Sequence, residues 1–348
     1  MSVSGSDSAL EAISDPVDDG NGPAVDETDS GYWDRDSTTQ SVTASIYEYE
    51  RRYNRTYHSF HRGKYLMPND ESEQDRIDIN YHAVRLSLRN TLFFAPIPNP
   101  RAILDIGTGT GVWALDAGEA HPEAIVIGTD LSPIQPHFVP TNLSFEIADA
   151  DEEWTFGHRF DLIHCRIMND FTLRSWPHYF EQAMQWLTPG GWVECQESDY
   201  NRRSDDNTLP PNSRLSFWER EWTRGMEKTG LGGFCRPELV MEQMRNAGFV
   251  NVSCRRFKIP IGPWPKDSTL RQAGMCGLVN ILDGIQGLSL KVFRELLEYS
   301  FEELESLLTD CRREARDRTI HSYWPLFVIL GQKPIEEQTQ AGAPAQTP

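Results

Sequence analysis

From residue 102 to residue 331, short apolar runs alternate with longer stretches whose apolar residues recur at helical spacing. The short runs predict strands over 102–106, 124–129, 143–147, 160–165, 191–197, 249–259 and 323–331. The stretches between most of them predict helices over 111–120, 174–187, 213–229 and 236–247. Strands alternating with helices imply an α/β fold, a mostly parallel sheet with helices on both faces.

The flanks read differently. Aromatics crowd the segment "IYEYERRYNRTYHSFHRGKYLMPND", which predicts a helix over about 44–60 and then a loop. The acids of "NDESEQ" suit the start of a second helix, over 71–93. Between the last two strands, residues 268–316 form an insertion the sheet does not need. Its "LKVFRELLEYSFEELESLL" sets Phe293, Leu297, Leu304 and Leu308 at helical spacing. That stripe serves either core packing or a lid lying with the N-terminal helices over a substrate cleft. Residues 1–40 hold too few large apolar groups to offset the entropy of ordering, and 336–348 are polar; both are expected to be disordered tails around a domain at 41–335.

Charge removes several function classes. The formal net charge is −19, and residues 1–40 contain ten acids against one base. No basic footprint exists for direct nucleic-acid binding. No two of the six cysteines lie closer than 19 positions, so neither zinc nor disulfide spacing is present. The N-terminus lacks the pattern of a signal peptide, and the longest purely apolar runs are about seven residues. The expectation is a cytoplasmic or nuclear protein with no membrane span.

The chemistry concentrates in "RAILDIGTGTGVWALDAGEAHPEAIVIGTD", residues 101–130. Asp105, Gly107, Gly109 and Gly111 form D-x-G-x-G-x-G between a strand and a helix. Nineteen residues after Gly111 the next strand ends at Asp130, whose two oxygens can accept both hydroxyls of a ribose. To this point a dinucleotide and an adenosine cofactor fit alike. Asp105, however, would repel a pyrophosphate and suits a cationic ligand. In "EIADADEEW", Asp149 and Ala150 offer an acid for the adenine amine with a backbone N–H beside it. Both features count against a nicotinamide-dependent oxidoreductase.

In this order and spacing, D-x-G-x-G-x-G, "GTDLSP", "ADADEEWTF", "FDLIHCR" and "LTPGGWVE" resemble the class I S-adenosylmethionine-dependent methyltransferases. "GKYLMPNDESEQDRID" (63–78), "GTDLSPIQP" (128–136) and "FEIADADEEW" (145–154) resemble the LaeA-type fungal methyltransferases, and the resemblance covers about 45–335. It implies a Rossmann-like seven-stranded sheet with an antiparallel last strand, and S-adenosyl-L-methionine as cofactor. It implies Asp105, Gly107, Thr108, Gly109 and Gly111 around the methionyl part, Asp130 at the ribose with Leu131 beside it, and Asp149 and Ala150 at the adenine. Tyr65 would close over the cofactor, its ring face attractive to a sulfonium; otherwise it is a packing tyrosine. The acceptor implied is a small molecule or peptide of fungal secondary metabolism. The alternative is a nuclear regulator acting through partner proteins.

Methyl transfer from a sulfonium is an in-line displacement that mainly needs alignment. A general base is required only if the acceptor carries a proton of high pKa. The candidate is His164 in "IHCR", with Arg166 beside it, at a strand end of the kind that faces the cleft. Both residues also stand among the expected cofactor-binding residues; the alternatives are a pocket-shaping histidine and an arginine paired with a nearby carboxylate. His178, on a surface helix, is set aside. The fourth strand is not followed by an Asn/Asp-Pro-Pro-aromatic motif, and the chain has no Pro-Cys pair and no metal-ligand spacing. Methylation of DNA bases and metal-assisted catechol chemistry therefore lack their residues, and no metal is expected. Trp192, Trp218, Trp222, Trp264 and Trp324 serve an apolar cleft or, more simply, the core.

Overall fold

The computed structural model describes residues 44–335 apart from 170, 172 and 232–234; the tails expected at 1–40 and 336–348 lie outside the described residues. After a 3-10 turn at Ala44–Tyr47 the chain makes a hairpin, β1 (Glu50–Arg52) and β2 (Arg55–Tyr57). This corrects the helix expected over 44–60. Tyr53 and Asn54, between the strands, have φ of 50° and 60°. Two successive left-handed residues make the turn whose twist matches a hairpin, and the flanking aromatic and β-branched residues suit extended pairing. Helix α1 (Glu71–Ser87) is capped by Asp70, whose carboxylate accepts from the Glu73 amide and is clamped by Arg55 at 2.6 and 2.7 Å. It ends short of residue 93, because Arg89 and Asn90 turn left-handed at φ 57° and 60°.

The expected alternation follows: β3 (Ala102–Ile106), α2 (Val112–Ala120), β4 (Ile125–Asp130), β5 (Leu143–Ile147), β6 (Phe160–Arg166), α3 (Trp176–Trp186), β7 (Leu187–Ser198), α4 (Arg214–Glu227), α5 (Pro237–Asn246) and β8 (Val250–Pro260). The insertion supplies α6 (Ser268–Lys291), a π-helical turn at Val292–Leu296, and α7 (Phe301–Ala315); β9 (Tyr323–Gln332) completes the sheet. Seven strands lie in the order β5-β4-β3-β6-β7-β9-β8, with β9 antiparallel to both neighbours. The order reverses between β3 and β6, so a cleft opens at the carboxyl ends of those strands.

Residues alternating along the strands feed cores on the two faces. Ile103, Val126 and Leu162 pack with Trp113 and Ala117 of α2; Leu104, Ile163 and Val193 pack with Tyr179 and Phe180 of α3. A third core binds the insertion to α1 and α4. Phe293, Leu304 and Leu308 are buried there with Val84, Leu215, Trp218, Trp222 and Trp324, and Leu297 is partly buried. The stripe is thus spent on core packing. The insertion also lies against the N-terminal elements, α6 packing along α1. Helix α6 reaches them through glycines: a Cβ on Gly284 would meet the Arg76 side chain at 2.1 Å, and one on Gly287 the Arg55 guanidinium at 2.6 Å. Its apolar composition is used inside the protein, its most apolar window being 61% buried. None of the six cysteines is in a disulfide.

Polar groups are buried in the same region. Arg202 pairs with Glu219 at 3.1 Å and Glu314 at 3.0 Å, and Trp324 donates to Glu219 at 2.7 Å. Burial outweighs the pull of Arg202 and raises Glu219 to about 7. Glu197 on β7 accepts from the amides of Met168 and Asn169, and burial raises it also to about 7. Both carboxyls bind protons more tightly folded than unfolded, so stability from these two groups is complete below about pH 4.5 and is lost as pH rises through about 7. The melting temperature should fall between pH 6 and pH 8.5 by several degrees. The double variant Glu197→Gln/Glu219→Gln should flatten that slope; an equal slope in the variant would contradict the assignment.

Candidate active site

The glycine turn after β3 is the scaffold of the cleft. Gly107, Gly109 and Gly111 all have positive φ, 71°, 60° and 83°, a conformation L side chains rarely adopt. The amides of Gly107 and Thr108 both point back to the Thr129 carbonyl, at 2.9 Å. A Cβ on Gly107 would stand 2.3 Å from the Met168 sulfur, and one on Gly111 2.4 Å from the Phe145 ring. Helix α1 braces the turn from outside, where Asp78 accepts from the Thr110 hydroxyl at 2.5 Å.

Asp130 ends β4 beside this turn. Its Oδ2 accepts from the Gly109 amide at 2.8 Å and its Oδ1 from the Ser132 amide at 3.0 Å. Each oxygen is thereby fixed by one backbone donor and retains further acceptor capacity. Burial raises Asp130 to about 6 against the pull of these amides. Leu131 next to it is buried.

Asp105 lies in register with His164 across β3 and β6. Its Oδ1 accepts from His164 Nδ1 at 2.7 Å and its Oδ2 from the Thr108 hydroxyl at 2.7 Å. Because a carboxylate only accepts, the Nδ1 proton of His164 is set. The imidazole stacks on Trp113 with centroids 3.7 Å apart and is wholly buried. His164 therefore orients the Asp105 carboxylate through Nδ1, its buried Nε2 has no hydrogen-bond partner, and its complete burial against Trp113 weighs against the general-base reading. Arg166, two residues on, lies over the Tyr81 ring at 4.8 Å.

The loop carrying Tyr65 crosses to the far side of the cleft. His58 is buried and hydrogen-bonds the backbone of Phe60 and Tyr65. Lys64 and His61 both bind the Asp149 carboxylate, His61 at 2.8 Å, and Lys64 reaches Asp151 at 2.9 Å. Burial works against the Asp149 carboxylate, yet Lys64 and His61 hold its pKa below the ordinary range. The acid expected at adenine is thus also the latch for the strap, which sequence reasoning missed; the "GKY" of the 63–78 segment was its signal. His61, Asp149 and Glu152 place three ligand-type atoms within 4.8 Å of one another, but the Lys64 ammonium already neutralises that point. Ala150 packs on the core and accepts from Trp154 Nε1 through its carbonyl at 3.1 Å. The Tyr65 ring lies 6.5 Å from Phe171. Burial pushes its hydroxyl above the ordinary phenol range, with Glu73 and Asp130 adding to the rise and Arg76 opposing it.

The loop after β6 completes the site and was not legible beforehand. Ile167 is held left-handed at φ 54°, an unfavourable state for a β-branched residue, by its amide bond to the Gln196 carbonyl at 3.0 Å and by Glu197 on the next two amides. This brings Met168 against Gly107.

A family model described as a methyltransferase domain matches residues 79–254. The chain is 41% identical over 311 residues to methyltransferase pytC of Aspergillus terreus, covering 88% of this chain and 95% of that one. It is 33% identical to probable methyltransferase tdiE of Emericella nidulans, over 75% and 82% of the two chains. It is 30% identical to secondary metabolism regulator laeA of Aspergillus fumigatus, over 90% and 86%. Similarity of this extent, over a sheet whose glycine turn and strand-end acids meet in one cleft, shows that the chain belongs to the methyltransferase family.

Proposed function

We propose that the chain binds S-adenosylmethionine in the cleft at the ends of β3, β4 and β6 and methylates a small molecule or peptide of fungal secondary metabolism. The observation that carries the cofactor is Asp130, whose two oxygens are each pre-set by a backbone amide with acceptor capacity left for a diol. The left-handed Gly107, Gly109 and Gly111 leave the backbone bare of side chains at those positions on the way to Asp105. When bound, the cofactor supplies a methyl group already activated by positive sulfur. The chain's part is to hold and align: Asp105, fixed by His164 and Thr108, faces the cationic amino-acid end; Asp130 takes the ribose; Leu131, Asp149 and Ala150 border the adenine; Tyr65 closes the strap side. The acceptor class is supported by the similarity to pytC and tdiE. A second reading, regulation through protein partners, is supported by the similarity to the regulator laeA across 90% of the chain.

Gly109 gives the test. A Cβ there has room in the protein, its nearest neighbour being Ile77 at 3.6 Å. Left-handed backbone costs a β-branched residue about 1–2 kcal/mol and would displace the amide that fixes Asp130. Calorimetric titration with S-adenosylhomocysteine should show Gly109→Val weakened at least about tenfold while its circular dichroism stays native. Equal affinities would count against the cofactor site.

A further inference from the structure

We propose that Arg166 is a carboxylate receptor that takes the α-carboxylate of the cofactor's amino-acid end, while Asp105 faces the neighbouring ammonium. The inference rests on the cofactor reading above and names a role for a residue that lies outside the glycine turn. Arg166 is the last residue of β6 and shares a strand face with His164, two positions back. His164 is the register partner of Asp105, so the guanidinium and the Asp105 carboxylate stand at the same end of the same cleft. They are not an ion pair. Both oxygens of Asp105 are engaged, one by His164 and one by Thr108, and among the described residues no carboxylate lies within ion-pair distance of Arg166. Its Nη1 is buried without a hydrogen-bond partner. The only described packing partner of its charge is the Tyr81 ring, at 4.8 Å.

Arg166 is half-buried, and a guanidinium drawn partly out of water without an anion is costly, because the desolvation of the charge is not offset. Burial accordingly lowers the pKa of Arg166, with Asp105 the largest influence in the opposite sense. The planar fork of arginine matches a carboxylate through two parallel hydrogen bonds. Asp105 nearby disfavours a doubly charged phosphate and favours a singly charged group carried next to a cation. An α-amino acid has that arrangement, an ammonium and a carboxylate on adjacent atoms.

The test is calorimetric titration of the full chain with S-adenosylhomocysteine and with its analogue lacking the carboxyl group. Wild type should bind the analogue roughly 10- to 100-fold more weakly. Arg166→Met keeps the apolar stem against Tyr81; it should weaken S-adenosylhomocysteine by a similar factor and leave the analogue within about twofold. Arg166→Lys should recover part of the loss. If wild type binds both ligands equally, the carboxylate that Arg166 awaits is not the cofactor's, and the proposal fails. If Arg166→Met weakens both ligands equally, Arg166 is a structural residue and the proposal also fails. If wild type binds neither ligand, the cofactor reading itself falls, and this one with it.

Discussion

Asp130→Ala should weaken S-adenosylhomocysteine binding by roughly 100-fold or more, since it removes two charge-assisted hydrogen bonds of about 1.5–3 kcal/mol each. The variant also leaves the Gly109 and Ser132 amides without their acceptor, so the loop loosens as the ribose contact is lost. A pH series separates this effect from general damage. Burial raises Asp130 to about 6, and only the ionised form offers both oxygens as acceptors. Wild-type affinity should be level above about pH 7 and fall nearly tenfold per unit below about pH 6; Asp130→Ala should be flat. Analogues lacking the ribose 2′-hydroxyl should lose little further affinity in the variant. Additive losses from the analogue and the substitution would remove Asp130 from the ribose.

Arg202→Met should give the largest loss of stability, about 3 kcal/mol. Arg202 is buried and holds Glu219, Glu314 and the hydroxyl of Ser213, the last at 2.7 Å. It thereby ties the segment after β7 to α4 and α7. Breaking a buried pair costs about 3–5 kcal/mol, and the low end applies because Glu219, raised to about 7, can protonate when its partner is gone. The melting temperature should drop by roughly 6 °C or more, and the loss should shrink at pH 6, where Glu219 is neutral. Chemical denaturation at pH 6 and pH 8 measures both. A loss under about 1 kcal/mol at pH 8 would show that the network is not a stabilising one.

Misreadings in the sequence cluster where local signals compete. The segment 44–60 is rich in Glu, Arg and Tyr at spacings a helix accepts, yet it is a hairpin. The deciding residues are Tyr53 and Asn54, whose left-handed turn sets Glu50 opposite Tyr57. Besides Arg55 on the nearby Asp70, what holds β1 and β2 is distant: Lys291 on Glu50 and over the Tyr57 ring, and Arg52 on Glu295. Pairings 240 residues apart leave no local periodicity to read. His164 is a related case. Its place at a strand end suggested access to the cleft, but Trp113 of α2 covers its ring.

By itself the sequence determined the α/β class, the seven strands with their bounds to within a few residues, and the positions of Asp105, the three glycines and Asp130. These are legible because they depend on period, on turn chemistry and on residues adjacent in the chain. Only the tertiary structure decided what each acid does. It committed Asp105 to His164 and Thr108, latched Asp149 to Lys64 and His61, and left the Arg166 guanidinium beside Tyr81 without an anion. A carboxylate's role depends on which donors converge on it, and here those donors come from segments as many as 88 residues away. Burial then shifts the groups that convergence encloses, raising Asp130, Glu197 and Glu219 toward neutrality, because the cost of a buried charge is a property of the assembled surroundings.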